Sequence, residues 1–375
     1  MKKLLAIGGL FLSALSFGQA FTEGFNDLFD ASATSTLTPL NGRGWTDVNL
    51  SKGTVTFAAT NGLGNTGWFG NGTAFGPHAG AGYVAANYEN VAGTGTISNW
   101  LISPVATLHN GDTFSYWTRT SSGVHPDRLE VRLSTNASST NVGTTETSVG
   151  DFTTVLETVN PTLLTGAANY STSWTLHTVT LTGIGASVSG RFAFRYFVTT
   201  AGLGAANGEY IGIDDVTYTP NPVKTVSGVL TLQSYTGALI PGSQFLFEIR
   251  DASTNVLIET AVGTTGAGST FTFNTSQPAG SYKLRIKGVN RFLARSQPLT
   301  LTAAGATGLA YSLINGDANG DNLVGVADFN LLRSAWGGIA PSAPYLEATD
   351  FNGDGIIGVT DFNIMRASWG LIGDN

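Results

Sequence analysis

Asp317, Asn319 and Asp321 stand at alternate positions, with Leu323 two residues on and Asp328 five beyond that. Asp350, Asn352, Asp354, Ile356 and Asp361 repeat the same spacing at an offset of 33 residues. In a twelve-residue stretch these fill positions 1, 3, 5, 7 and 12. Side-chain oxygens at positions 1, 3 and 5 wrap a small sphere, position 7 offers a backbone carbonyl, and a carboxylate at position 12 closes it. Six to eight hard oxygens suit Ca²⁺. Position 9 is Gly325 or Gly358, so water must serve there. Position 6 needs a left-handed backbone, which Gly355 adopts freely and Asn322 tolerates. We assign one Ca²⁺ to each stretch. The competing reading is a pair of Asn/Asp/Gly turns without metal. Two copies in register, each with three carboxylates, argue against it.

The elements that position these loops follow from apolar spacing. Phe329, Leu332 and Trp336 fall at i, i+3 and i+7, as do Phe362, Met365 and Trp369. This predicts a short amphipathic helix after each loop, the two apolar faces packed on each other. Residues 310–314 read as strand, so the unit is loop then helix, half of an EF-hand. The match runs on through Arg333/Arg366, Trp336/Trp369 and Gly337/Gly370. This duplication resembles a type I dockerin over about 60 residues. The resemblance implies a docking module that binds a cohesin-like or cell-surface protein through helix residues just after each loop. The first of those are Val326-Ala327 and Val359-Thr360, where cellulosomal dockerins usually carry a Ser-Thr pair. That departure puts a cellulosomal partner in doubt. Arg333 and Arg366 sit where the family often places a basic recognition residue. Solvated helix arginines are the equal alternative.

The rest of the chain reads as β. Of 375 residues only 11% are charged, and 49 are glycine. Such a surface is built from Thr, Ser, Asn and Gly turns between short strands. Residues 21–219 alternate with period two, as in Thr113 to Thr118, Leu129 to Leu133 and Arg191 to Phe197, predicting one large antiparallel jelly-roll sandwich. Pro220-Asn221-Pro222 breaks the pattern. Residues 220–314 predict a smaller immunoglobulin-like or prealbumin-like sandwich, read as a spacer. Residues 315–375 hold the calcium module. At the other end, Lys2, Lys3, the apolar run Leu4 to Phe17 and Gly18-Gln19-Ala20 make residues 1–20 a signal peptide, too short in its apolar run to span a membrane. No later stretch spans a membrane. The formal charge of −7 becomes −9 when Lys2 and Lys3 leave, which excludes a nucleic-acid footprint and suits Ca²⁺. There is no cysteine, so neither a disulfide nor a lipidated N-terminal cysteine is available. These features predict a secreted, extracellular or surface-associated protein.

Several motifs of residues 21–219 are similar to the choice-of-anchor J or cleaved-adhesin domain, a relative of the MAM jelly rolls. They are Glu23-Gly24-Phe25, Gly44-Trp45, Trp100 to Pro104, Pro126 to Leu133 and Ile211 to Val216. In that fold the first and last strands are neighbours. The resemblance then implies a third Ca²⁺, shared by Glu23 with Asp214 and Asp215. A capped strand end with solvated carboxylates is the other reading. No catalytic set is found: His78, His109, His125 and His177 lie in unrelated contexts, His125 reading as a loop residue. Trp45, Trp68, Trp117 and Trp174 read either as core or as sugar platforms. Two function classes remain: a non-catalytic adhesion or surface-assembly protein, and a carbohydrate-binding or polysaccharide-degrading component of an extracellular complex.

Overall fold

The computed structural model describes residues 19–28, 37–53, 67–71, 74–91, 93–184, 187–237, 245–265, 269–288 and 290–375. Residues 1–18, with most of the expected signal segment, lie outside them. No helix among the described residues is long and apolar enough to cross a membrane. The protein is mainly β, and its contacts divide it into two compact units, Met1–Pro220 and Asn221–Asn375.

The first unit is a jelly-roll sandwich of antiparallel sheets. One runs in the order Thr175–Thr180, Thr113–Thr120, Tyr210–Thr219, Tyr83–Asn87, Phe69–Asn71, with Phe21–Glu23 added beside Tyr210–Thr219. The other runs Thr154–Val159, Leu129–Ser134, Val188–Ala201, Gly95–Ile102, Thr46–Asn49. Alternation dictates the packing. In Thr113–Thr120 every second side chain, from Phe114 to Thr120, is buried. Phe114 stacks on Phe192 of the facing sheet with centroids 4.1 Å apart. Trp45 and Trp68 belong to this core, whereas Trp117 and Trp174 are half-buried.

The second unit holds a smaller sandwich and the calcium module. Its sheets run Thr264–Thr265, Thr270–Thr275, Lys224–Leu232, Ala306–Leu313 and Leu257–Val262, Phe245–Asp251, Gly280–Gly288, Arg295–Leu301. Lys224–Leu232 and Ala306–Leu313 pair in parallel. Phe247 lies between Phe271 and Phe273 in the core. The chain leaves the sandwich after Ala306–Leu313, and Asn315–Asp317 at the entrance to the first loop pairs with the short strand Arg291–Phe292.

The predicted helices are present as Val326–Ser334 and Val359–Ala367, but their packing differs from the sequence expectation. Leu332 and Met365 are buried, and Phe329 meets Phe362 at 6.2 Å. Trp336 and Trp369 are each 48% exposed. The physical reason is helix length: each helix ends two residues before its tryptophan. Helical geometry is lost at Ala335 and Ser368, so the i+7 tryptophans no longer ride on the helical stripe, and Gly337 and Gly370, at φ +75° and +77°, turn the chain just after them. Leu293, from the sandwich side, joins Ala318, Val324, Leu332, Ala335, Phe351, Ile357 and Met365 in the core instead. The boundary expected at residue 315 therefore falls within one packed unit.

Candidate calcium loops

Each loop is folded by its own acidic side chains. Asp317 is delivered, fully buried, by the Asn315–Asp317 strand. Its Oδ2 accepts the amide of Asn322 at 2.9 Å, which bends the chain back through the left-handed Asn322 (φ +74°). Asn319 Oδ1 accepts the amide of Asp321, and Asp321 Oδ1 that of Leu323. Asp328, third residue of its helix, accepts the amide of Gly325 at 2.8 Å and that of Asn319 at 3.0 Å. Since Gly325 has no side chain to cap the helix, Asp328 both satisfies an orphan N–H and ties position 12 to position 3.

The second loop repeats these bonds. Asp350 Oδ2 accepts the amide of Gly355, Asn352 Oδ1 that of Asp354, and Asp354 Oδ1 that of Ile356. Asp361 accepts the amides of Gly358 and Phe351, both at 2.8 Å. The halves are also exchanged across the repeat. Leu323 at position 7 bridges Ile372 beyond the second helix, and Ile356 bridges Ile339 beyond the first. The amide of Val324 donates to Leu371 and that of Ile357 to Gly338. Each loop is thus completed by the exit of the other helix, an arrangement that sequence spacing did not reveal.

The electrostatics favour a cation. Burial pushes the Asp317 carboxyl above the usual range, and neighbouring Asp328 and Asp321 push it further, against the Asn322 amide and Lys287. Burial raises Asp361 too. Asp317 Oδ1 is buried and accepts no hydrogen bond. A buried carboxylate oxygen left unmatched is costly, and a divalent ion in the loop would satisfy it. Among the described residues no three Asp, Glu or His side chains form a ready-made metal cluster. In each loop an Asn amide instead draws one carboxylate across: Asn319 Nδ2 donates to Asp321 Oδ2, and Asn352 Nδ2 to Asp354 Oδ2, both at 2.7 Å. The remaining donors of each expected set are two carboxylates, Asp317 with Asp328 and Asp350 with Asp361, an Asn side-chain oxygen and a backbone carbonyl, and such an all-oxygen set fits Ca²⁺.

The head positions its candidates differently. Phe21–Glu23 does lie beside Tyr210–Thr219, with Glu23 opposite Val216. Yet both Glu23 oxygens accept from Arg43, at 2.7 and 3.1 Å, and Oε1 also accepts the amide of Phe25. Asp214 is fully buried, with Oδ2 on the amides of His78 and Ala79. Burial, then the Asp215 charge, pushes it up to about 7. Asp215 faces His78 Nδ1 at 2.6 Å. The expected Ca²⁺ shared by Glu23, Asp214 and Asp215 does not fit this geometry, because a guanidinium already neutralises Glu23. The four histidines have four different partners. His78, His109 and His177 each approach a carboxylate, Asp215, Asp112 and Glu157 respectively. His125 is held by the carbonyl of Ala206.

Among curated proteins, none matches this chain. Of solved structures, the K1 cleaved adhesin domain of Lys-gingipain from Porphyromonas gingivalis W83 is 21% identical, with 55% of this chain and 100% of that chain covered, at a TM-score of 0.34. A type II cohesin–X–dockerin complex from Acetivibrio cellulolyticus is 21% identical, over 40% of this chain and 97% of that one, at a TM-score of 0.32. TmCBM61 in complex with β-1,4-galactotriose is 11% identical, covering 48% and 92%, at a TM-score of 0.27. Residues 315–368 match the dockerin type I domain. The two loop-helix repeats are therefore a dockerin type I domain, a kind of module that binds calcium.

Proposed function

We propose that this is a secreted, non-catalytic attachment protein. Its dockerin domain, with one Ca²⁺ per loop, fastens it to a cohesin-like or other cell-surface protein, and the larger sandwich is the head so displayed. The observation that carries this reading is the twofold presentation of exposed apolar side chains. Val326 and Val359 are 65% and 64% exposed, and Trp336 and Trp369 match at 48%. Exposed apolar side chains of this kind, repeated in both halves on metal-braced helices, suit a protein partner. Val326→Asp/Val359→Asp should move the protein from the cell-bound fraction into the medium while calcium binding, read by calorimetry, is kept. Unchanged partitioning of that variant would exclude this face as the attachment surface.

A second reading, glycan binding by the head, is favoured by one observation. On the outer face of its six-stranded sheet, Phe75 stacks on Tyr83, and Trp174 and Tyr210 meet Phe75 edge-on. Half-buried His78 lies over Trp117 at 3.7 Å beside Asp215. Binding on a glycan array that Trp117→Ala or Trp174→Ala abolishes would establish it. Polysaccharide cleavage by the head would overturn the non-catalytic assignment.

A further inference from the structure

The two calcium loops match in sequence and in hydrogen bonding but not in their surroundings. At the second loop the position-1 carboxylate is met by a neutral donor: the Tyr345 hydroxyl donates to Asp350 Oδ2 at 2.9 Å. At the first loop the visitor is a cation from the smaller sandwich. Lys287, on the Gly280–Gly288 strand, places Nζ 4.0 Å from Asp317 Oδ2 and donates to the carbonyl of Gly320, loop position 4. Its side chain is largely buried, at 16% exposure, and Asp317 is fully so, which limits screening by solvent. The same loop is gripped again on the sandwich side by Asn322, whose Oδ1 accepts the amide of Ala294.

We propose that Lys287 acts as a built-in monovalent substitute for calcium at the first loop. It holds that loop near its bound shape when calcium is scarce, and it makes the first site weaker than the second. The proposal rests on the calcium reading of the loops. A unit charge about 4 Å away acts by about a factor of five even in water-like surroundings. A dication is repelled twice as strongly, but from somewhat further off, so about fivefold is the expected scale.

Calorimetric titration of the full chain with CaCl₂ tests this. Wild type should show two affinity classes, the weaker one lost in Asp328→Ala and the tighter one lost in Asp361→Ala. Lys287→Met should tighten the weaker class about fivefold, leave the tighter one unchanged, and melt below wild type in chelator. Lys287→Arg, which keeps the charge, should titrate like wild type. If Lys287→Met fails to fold, Lys287→Gln serves in its place. The proposal is overturned if the neutral variants leave the weaker class unmoved or shift both classes alike, or if Lys287→Arg behaves as they do. A wild-type chain that binds no calcium overturns the calcium reading itself, a result distinct from binding that Lys287 does not tune.

Discussion

Leu293→Ala tests whether the dockerin domain depends on the smaller sandwich. Leu293 is 1% exposed and lies in the same cluster as Val324, Leu332 and Met365, though it precedes the first loop by more than twenty residues. Truncating a buried leucine costs about 2–5 kcal/mol, with the larger values where the site cannot collapse. Here the walls are fixed by backbone bonds. The amide of Leu293 donates to Ile314 at 2.8 Å, and that of Ala294 to Asn322 Oδ1 at 2.8 Å. We therefore expect a loss of about 3–4 kcal/mol. Calcium at roughly a hundred times its dissociation constant contributes about 2.7 kcal/mol per site through linkage, so saturating CaCl₂ should rescue much of the defect. The assay is hydrogen exchange on the full chain, resolved by segment, with calcium and with chelator. Protection should fall together in the Val326–Ser334 helix and in the Phe245–Asp251 strand, most in chelator. A change confined to the helices, or below about 0.5 kcal/mol, would refute the shared-core argument.

Two further outcomes follow from the head. Asp127 is buried, its carboxyl pushed up to about 6 by burial against hydrogen bonds from Thr120 and Tyr196 and the amide of Glu209. A carboxyl whose folded value is raised binds its proton more tightly when folded, so its contribution is greatest below about 3.9 and is lost as pH climbs to about 6. The difference is about 3 kcal/mol. Asp127→Asn should flatten this part of the stability-against-pH curve measured by denaturant titration, and an unchanged slope would assign it elsewhere. Because Arg43 holds Glu23, chelation should leave exchange protection in Phe21–Glu23 and Tyr210–Thr219 unaltered; a loss there would restore the shared-ion reading.

What the sequence made legible were features repeated locally. Period-two alternation located strands such as Thr113–Thr120, because inward and outward positions see different media. The loops were legible because Asp317 to Asp328 and Asp350 to Asp361 fold on themselves: every bond from position 1, 3, 5 or 12 to a loop amide spans ten residues or fewer. Trp336 and Trp369 were misplaced for a local reason also. Helical periodicity extrapolates a stripe past Ser334 and Ala367, where the helices stop.

Lys287, Leu293 and Arg43 were not legible, and they share a cause. Each acts on a partner that the chain reaches only after folding: Lys287 on Asp317, Leu293 on Leu332, Arg43 on Glu23. In sequence Lys287 is one more polar position of an alternating strand, where a solvated lysine and a lysine aimed at a metal loop look the same. The consequence bears on how a duplicated module acquires unequal halves. The repeat supplies two loops with the same ligands, so any difference between them must come from what packs outside. Here the first loop meets a strand carrying a cation, whereas the second meets neutral donors, the Tyr345 hydroxyl on Asp350 and Thr236 on the Asn352 carbonyl. A single substitution in the sandwich can therefore tune one calcium site without touching a ligand of either.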